Sequence, residues 1–323
     1  MIEVRNLTKR FGATVALQDV SFDVAAGEVL GFLGPNGAGK STAMRIITCY
    51  IPQDAGTVRV GGLDTREESF EVRRRIGYLP ESAPLYGDMG VVAYLDFVGR
   101  IRGIREPELS RRIDEMIDVC GLRRMAHRMI GTLSKGYRQR VGLAQTLIHD
   151  PDVLILDEPT TGLDPNQIIE IRDLIRQIGR RNKTIVLSTH ILPEVEATCS
   201  RVLIVNEGML IASGTPGELA AQSQGDAKIH MTVRGAAEAI EPVLRRSGIA
   251  TDLRLLDAAG GKVRYAIGSA EEEPEEKLFQ LALQHGWVLS ELHREALSLE
   301  QVFTRLTTRE AGAAAPVAEL QPR

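Results

Sequence analysis

Within Gly34-Pro35-Asn36-Gly37-Ala38-Gly39-Lys40-Ser41-Thr42, four residues, Gly34, Gly39, Lys40 and Ser41, stand at the spacing G-x-x-x-x-G-K-[ST]. Glycines there let the backbone wrap closely, so that amide N–H groups and a helix N-terminus face phosphate oxygens. Lys40 would reach the β- and γ-phosphates of a nucleotide, and the Ser41 hydroxyl would ligate Mg²⁺. A second chemically competent pair, Asp157-Glu158, closes the apolar run Val153-Leu154-Ile155-Leu156 ahead of Pro159. Asp157 would hold Mg²⁺ through its water shell, and Glu158 would polarise an attacking water as general base. Taken alone, these are a glycine-rich turn and two acids in a solvated turn. Together, in one chain, they point to a nucleotide site.

Positioning such groups needs a strand before the loop and a helix after it. Val29-Leu30-Gly31-Phe32-Leu33 is short and apolar enough for a buried strand, and Thr42-Ala43-Met44-Arg45-Ile46-Ile47 reads as a helix. Val153–Leu156 has the continuous apolar character of a parallel strand buried on both faces. Ile2–Leu7 and Val20–Val24 alternate like edge strands. Between them, Phe11 and Val15 could offer a face on which adenine stacks, although a Phe in such a segment is more often core. Strands are further expected at 56–62, 76–81 and 184–188, a helix at 165–179, and a hairpin over 202–212. Helical spacing from Ala83 to Gly131 reads as an insertion in this α/β frame.

Composition is that of an ordinary globular protein. The chain has 323 residues, 43% hydrophobic and 25% charged, with a net charge of -4 that argues against a protein built on a nucleic-acid-binding field. Length allows about two domains at roughly 150 residues each. Cys49, Cys120 and Cys199 are isolated, which suits free thiols in a reducing compartment. The opening residues do not read as a secretory leader, and no apolar run approaches ~18 residues, so a membrane-spanning part is expected on another chain. His127, His149, His230, His285 and His293 fit no ligand spacing and read as structural or surface residues.

Leu133-Ser134-Lys135-Gly136 opens a helix with Ser134 as N-cap, an ordinary feature by itself. In series it means more. The phosphate loop, Leu133-Ser134-Lys135-Gly136, Leu156-Asp157-Glu158-Pro159, Gly162-Leu163-Asp164-Pro165 and Ser188-Thr189-His190 occur in an order that resembles the ATP-binding subunits of ABC transporters, over roughly residues 2–215. The resemblance implies an α/β, P-loop NTPase fold: a RecA-like sheet core with an antiparallel β subdomain and a helical insertion about 83–145, within a domain at 1–220. It implies ATP and Mg²⁺ as ligands, and two such domains packed head to tail. Each ATP would then lie between one copy's phosphate loop and the other's Ser134-Lys135-Gly136, with Asp164 at the seam. His190 would contact the γ-phosphate and orient Glu158. Two departures from the family pattern stand out: Leu133-Ser134-Lys135-Gly136-Tyr137 replaces Leu-Ser-Gly-Gly-Gln, and Glu81 stands where a glutamine usually meets Mg²⁺ and water.

Beyond a small, polar stretch at 220–226, the order strand, helix, two strands, helix, strand suggests a ferredoxin-like α+β domain at 221–310, regulatory or dimerising, and then a disordered tail at 311–323. Ser298–Thr307 resembles the end segment of ATPases that serve ABC-2-type permeases, including drug-resistance and gliding-motility types. The expectation is therefore an ATP-hydrolysing subunit that powers a separate membrane permease for export. It would sit in the cytoplasm, peripheral on the inner face of the cell membrane, with a second copy as partner and no nucleic acid. A soluble ABC-family ATPase acting on ribosomes or DNA is the alternative, but such proteins usually carry two nucleotide domains or a long coiled-coil insertion. A non-catalytic nucleotide binder is disfavoured by the presence of both Glu158 and His190.

Overall fold

Alternating burial along Ile2–Phe11 (β1) and Thr14–Val24 (β2) pins their register: Ile2, Val4 and Leu7 face the same core as Leu17, Val20 and Val24. The computed structural model describes residues 1–222, 227–271, 273–294 and 303–304, which divide into two compact units, Met1–Pro216 and a second beginning at Gly217.

In the first unit β1 and β2 are followed by Val29–Leu33 (β3), Lys40–Ile47 (α1), Ala55–Val60 (β4), Leu63–Asp64 (β5), Ser69–Arg75 (α2) and Ile76–Leu79 (β6). Val91–Ile101 (α3), Glu108–Val119 (α4) and Lys135–Leu147 (α5) supply the helical stretch. Val153–Asp157 (β7), Pro165–Gly179 (α6), Thr184–Thr189 (β8), Leu192–Thr198 (α7), Arg201–Asn206 (β9) and Met209–Gly214 (β10) complete the series, and Pro216–Gln222 (α8) begins at the boundary with the second unit. One sheet is antiparallel, in the order β2-β1-β4-β5. The other has the order β10-β9-β3-β8-β7-β6, with β10 antiparallel at its edge and the rest parallel. Every residue of β7 and β8 is buried, as expected for parallel strands covered on both faces.

The sheet order decides where chemistry gathers. β3 lies between β8 and β9, and β8 between β3 and β7, so the carboxyl ends of β3, β7 and β8 are neighbours. Leu33 pairs with Thr189, and Asp157 with Ser188. The loops that follow these strands therefore emerge side by side, where open α/β sheets present ligands.

Three local expectations change. β1 is an interior strand between β2 and β4, not an edge. β1 and β2 run on into a hairpin, so Phe11 closes β1 and Val15 pairs with Arg10; Phe11 is 51% exposed and belongs to no core. Helix α1 begins at Lys40 rather than Thr42, because Gly39, at φ 100°, serves as the N-cap.

In the second unit Ala227–Arg234 (β11), Ala237–Arg246 (α9), Asp252–Ala259 (β12), Lys262–Ser269 (β13), Pro274–Gln284 (α10) and Val288–Arg294 (β14) follow in order. The sheet runs β12-β13-β11-β14, antiparallel throughout, over a core that includes Ile229, Met231, Tyr265 and Leu278. Apart from 303–304, the stretch Ser298–Thr307 and the expected disordered tail lie outside the described residues.

Candidate nucleotide site

At two points, Gly34 and Gly39, the loop between β3 and α1 has room for backbone only. A Cβ on Gly39 would stand 2.5 Å from the Ala16 carbonyl, and one on Gly34 would collide with the Val205 carbonyl. Gly37, at φ 82°, takes a left-handed turn with nothing near it. Ala38 is buried, its N–H donating to Pro35 O at 3.2 Å and its carbonyl accepting from Gly208 N. Lys40, 5% exposed, curls back over this loop and donates to Gly34 O at 2.8 Å and Pro35 O at 3.2 Å. Its Nζ also lies 3.3 Å from Glu158 Oε1.

The two acids at the end of β7 are held differently. Asp157 Oδ1 accepts from Ser41 Oγ at 3.1 Å and from Ser188 Oγ at 2.5 Å. Glu158, at φ 49°, turns sharply out of the strand; its N–H donates to both Ser188 O and Ser188 Oγ. Its Oε2 accepts from Thr161 Oγ1 at 3.1 Å and meets His190 Nδ1 at 2.8 Å. Each Glu158 oxygen thus has its own polar neighbours, as a buried carboxylate requires.

A cavity of about 420 Å³ opens here, lined by Asn36, Gly37, Gly39, Lys40, Ser41 and Thr42 from the loop and by Glu81, Glu158, Thr161 and His190 from the strand ends. Glycines with no space for a Cβ, a buried lysine and the N-terminus of α1 fit a chain of phosphates. Among the described residues no three His, Cys, Asp or Glu side chains cluster to hold a metal. What the site offers instead is the Ser41 hydroxyl beside the Asp157 carboxylate, with Glu81 on the cavity wall.

The expected site residues fall into two groups. Gly34 through Thr42, Glu81, Asp157, Glu158 and His190 come together at the strand ends. Ser134, Lys135, Gly136 and Asp164 do not line the cavity. They form a second cluster: Ser134 Oγ accepts Tyr137 N, Asp164 Oδ1 accepts Gln167 N at 2.9 Å, and a Cβ on Gly136 would meet Gln167 at 2.7 Å. Lys135 Nζ lies over Gly162. Phe11 and Val15 are also absent from the lining, where Ala16 stands. Two residues that hold these acids, Thr161 at Glu158 and Ser188 at Asp157, were given no role from the sequence. Thr161 lies three positions after Glu158, a spacing that carries a weak hint. Ser188 marked a motif but had no assigned role, since only the pairing of β7 with β8 brings it to Asp157.

The family pattern described as ABC transporter matches residues 17–161, and an AAA-domain pattern (putative AbiEii toxin, Type IV TA system) matches residues 130–195. The linearmycin resistance ATP-binding protein LnrL of Bacillus subtilis is 32% identical over 310 residues, covering 96% of this chain and 99% of its own. The chain belongs to the ATP-binding subunits of ABC transporters. The Nod factor export ATP-binding protein I of Burkholderia lata is 34% identical over 309 residues, 96% of this chain and 97% of its own. A dimeric post-hydrolysis ATP-binding cassette bound to ADP and Pi superposes with a TM-score of 0.61 at 25% identity, covering 67% of this chain and 98% of that one. As a member of this family the chain is an ATPase with a P-loop NTPase fold. The ribosome- or DNA-directed alternative is not favoured. Among the described residues no helix is long and apolar enough to cross a membrane.

Proposed function

We propose that two copies of this chain hydrolyse Mg-ATP at shared sites and so drive a separate ABC-2-type permease in export. The observation that carries this reading is the division of the site. Within one chain Lys40, Glu158 and His190 surround the cavity, while Ser134-Lys135-Gly136 and Asp164 form a cluster that does not line it. A second copy packed head to tail would bring the N-terminus of its α5, with Ser134 and an exposed Lys135, to the γ-phosphate. Phe11, half exposed at the end of β1, and Val15 would flank the adenine.

In this reading Ser41, Asp157 and Glu81 would hold Mg²⁺, which would supply charge neutralisation at the phosphates; so small a set of oxygen donors suits a cation that dehydrates reluctantly. Lys40 and the α1 N-terminus stabilise charge on the γ-phosphate. Glu158 takes a proton from the attacking water, and His190 keeps Glu158 Oε2 aligned.

Exposed Tyr50, Phe70 and Ile101, with Arg73, Arg74 and Arg102, line a groove of about 730 Å³ that we assign to a cytoplasmic segment of the permease. Tyr78 also lines it, three residues before Glu81, so β6 and Pro80 connect the groove to the nucleotide cavity. Export accords with the relatives named for linearmycin resistance and Nod factor export. The protein would then work in the cytoplasm, on the inner face of the membrane. All the residues given chemical roles precede the second unit, which is assigned to holding the dimer or the permease complex.

Glu158→Gln tests the core of this reading. The variant is expected to bind ATP, lose at least about a hundredfold in turnover, and accumulate as a dimer on size exclusion with Mg-ATP. A monomeric variant that still turns over ATP would remove Glu158 from the base role.

A further inference from the structure

His190 is 43% exposed along its side chain, so packing of the ring does not hold it against Glu158; its backbone must. We infer that Glu194 is a positioning residue for His190, acting through Thr189. This rests on the role proposed above for His190. Thr189 Oγ1 donates to Glu194 Oε2 at 2.9 Å and accepts from Ile191 N at 3.0 Å. The residues on either side of His190 are thus fastened to one buried hydroxyl, and that hydroxyl is fastened to Glu194.

The frame behind this bond is stiff. Glu194 lies in the first turn of α7, and α7 rests directly on β3. A Cβ on Gly31 would stand 2.9 Å from Cys199 Sγ and 3.1 Å from Val195 Cγ1. Arg176 of α6 ties the end of the same helix by donating to Ala197 O at 2.7 Å. β3 is also the strand that delivers Gly34 to the phosphate loop, and its Leu33 pairs with Thr189. Glu194 therefore refers the position of His190 to the strand that carries the phosphate loop.

Stability does not account for an acid here. Glu194 is 4% exposed, forms no ion pair among the described residues, and its Oε1 has no hydrogen-bond partner. Burying a carboxylate without a cation is costly, and an apolar side chain of similar volume would fill the same space without that cost. What the apolar residue could not do is accept from Thr189. Because an error of about 1 Å in a positioned group can cost as much as a hundredfold in rate, the acceptor has a catalytic consequence at a distance.

Five variants of the full chain decide the matter, each assayed for kcat, ATP affinity and thermal midpoint. Glu194→Met keeps volume and removes the acceptor; kcat is expected to fall about tenfold or more, with ATP affinity and thermal midpoint unchanged or improved. Glu194→Gln keeps an acceptor oxygen and should stay within about twofold of wild type. Thr189→Val breaks the same bond from the other side, so its loss should match that of Glu194→Met, and the double variant should be no worse than either. Full kcat in Glu194→Met, or a kcat loss that tracks the loss of thermal midpoint, or additive losses in the double variant, would overturn the inference. His190→Ala is the fifth variant: if it hydrolyses ATP normally, the proposed role of His190 fails, whichever way the Glu194 series falls.

Discussion

Lys40 and Glu158 form a buried ion pair, Nζ to Oε1 3.3 Å, with side chains 5% and 8% exposed. The cation that would meet phosphate and the carboxylate that would accept water's proton thus start in contact. Each keeps further partners, Gly34 O and Pro35 O for Lys40, Thr161 and His190 for Glu158. Breaking a buried pair from one side costs about 3–5 kcal/mol, because the remaining charge is left uncompensated. Lys40→Met should therefore abolish hydrolysis and also lower unfolding stability, towards the lower end of that range since Thr161 and His190 remain. Adding Glu158→Gln should recover part of the stability and none of the activity. Denaturant unfolding of the wild type and these two variants measures this; equal midpoints for Lys40→Met and the double variant would mean the pair contributes no coupling.

Glu81 lines the cavity and is exposed, and among the described residues it makes no hydrogen bond or ion pair. A carboxylate can only accept, whereas an amide can also donate to water, and two negative groups near the same phosphate repel unless a cation lies between them. Glu81→Gln is expected to remain active and to bind ATP with less dependence on Mg²⁺, while Glu81→Lys loses hydrolysis. ATP titrations with and without Mg²⁺ check it. An unchanged Mg²⁺ dependence would make Glu81 a bystander on the turn after Pro80.

Gly39 and Gly62 both have positive φ, 100° and 83°, but only Gly39 has a backbone carbonyl in the path of a Cβ. Gly62→Ala should cost about 1–2 kcal/mol from the left-handed conformation alone. Gly39→Ala meets Ala16 O as well, so the loop must move. Its ATP affinity should fall at least about tenfold and its thermal midpoint drop further than that of Gly62→Ala. Equal effects at the two positions would show that the loop yields freely.

His149 reports on acid stability. Burial, reinforced by the charge of Arg102, pushes its pKa from 6.5 down to about 4, and a hydrogen bond to Ile76 O at 3.1 Å does not offset this. Between these values the unfolded chain binds the proton and the folded one does not, so acidification favours unfolding. The contribution is complete above pH 6.5, is lost as pH falls towards 4, and is of the order of 2 kcal/mol given its partial exposure. His149→Gln, uncharged throughout, should flatten the stability profile in that window; identical slopes for wild type and variant would refute the assignment.

Much of the site is local, and what is local was legible. The glycines and Lys40 of the phosphate loop and Ser134 as the cap of α5 each depend on a few consecutive residues whose spacing and capping chemistry are visible in one dimension. The continuous apolar run of β7 announced a strand buried on both faces, with two acids at its end. The β1–β2 hairpin was harder, since Phe11 has the same hydrophobicity whether it enters a core or closes a strand beside Lys9.

The amino-acid sequence by itself determined which chemical groups are available, and in which loops they sit. Which groups touch was decided only by the tertiary structure. Placing β3 between β8 and β9, and β8 beside β7, puts Ser188 against Asp157, His190 against Glu158, and Lys40 within reach of both loops. No periodicity encodes that order. It follows from how the hydrophobic faces of distant strands pack together, a property of the whole chain rather than of any segment.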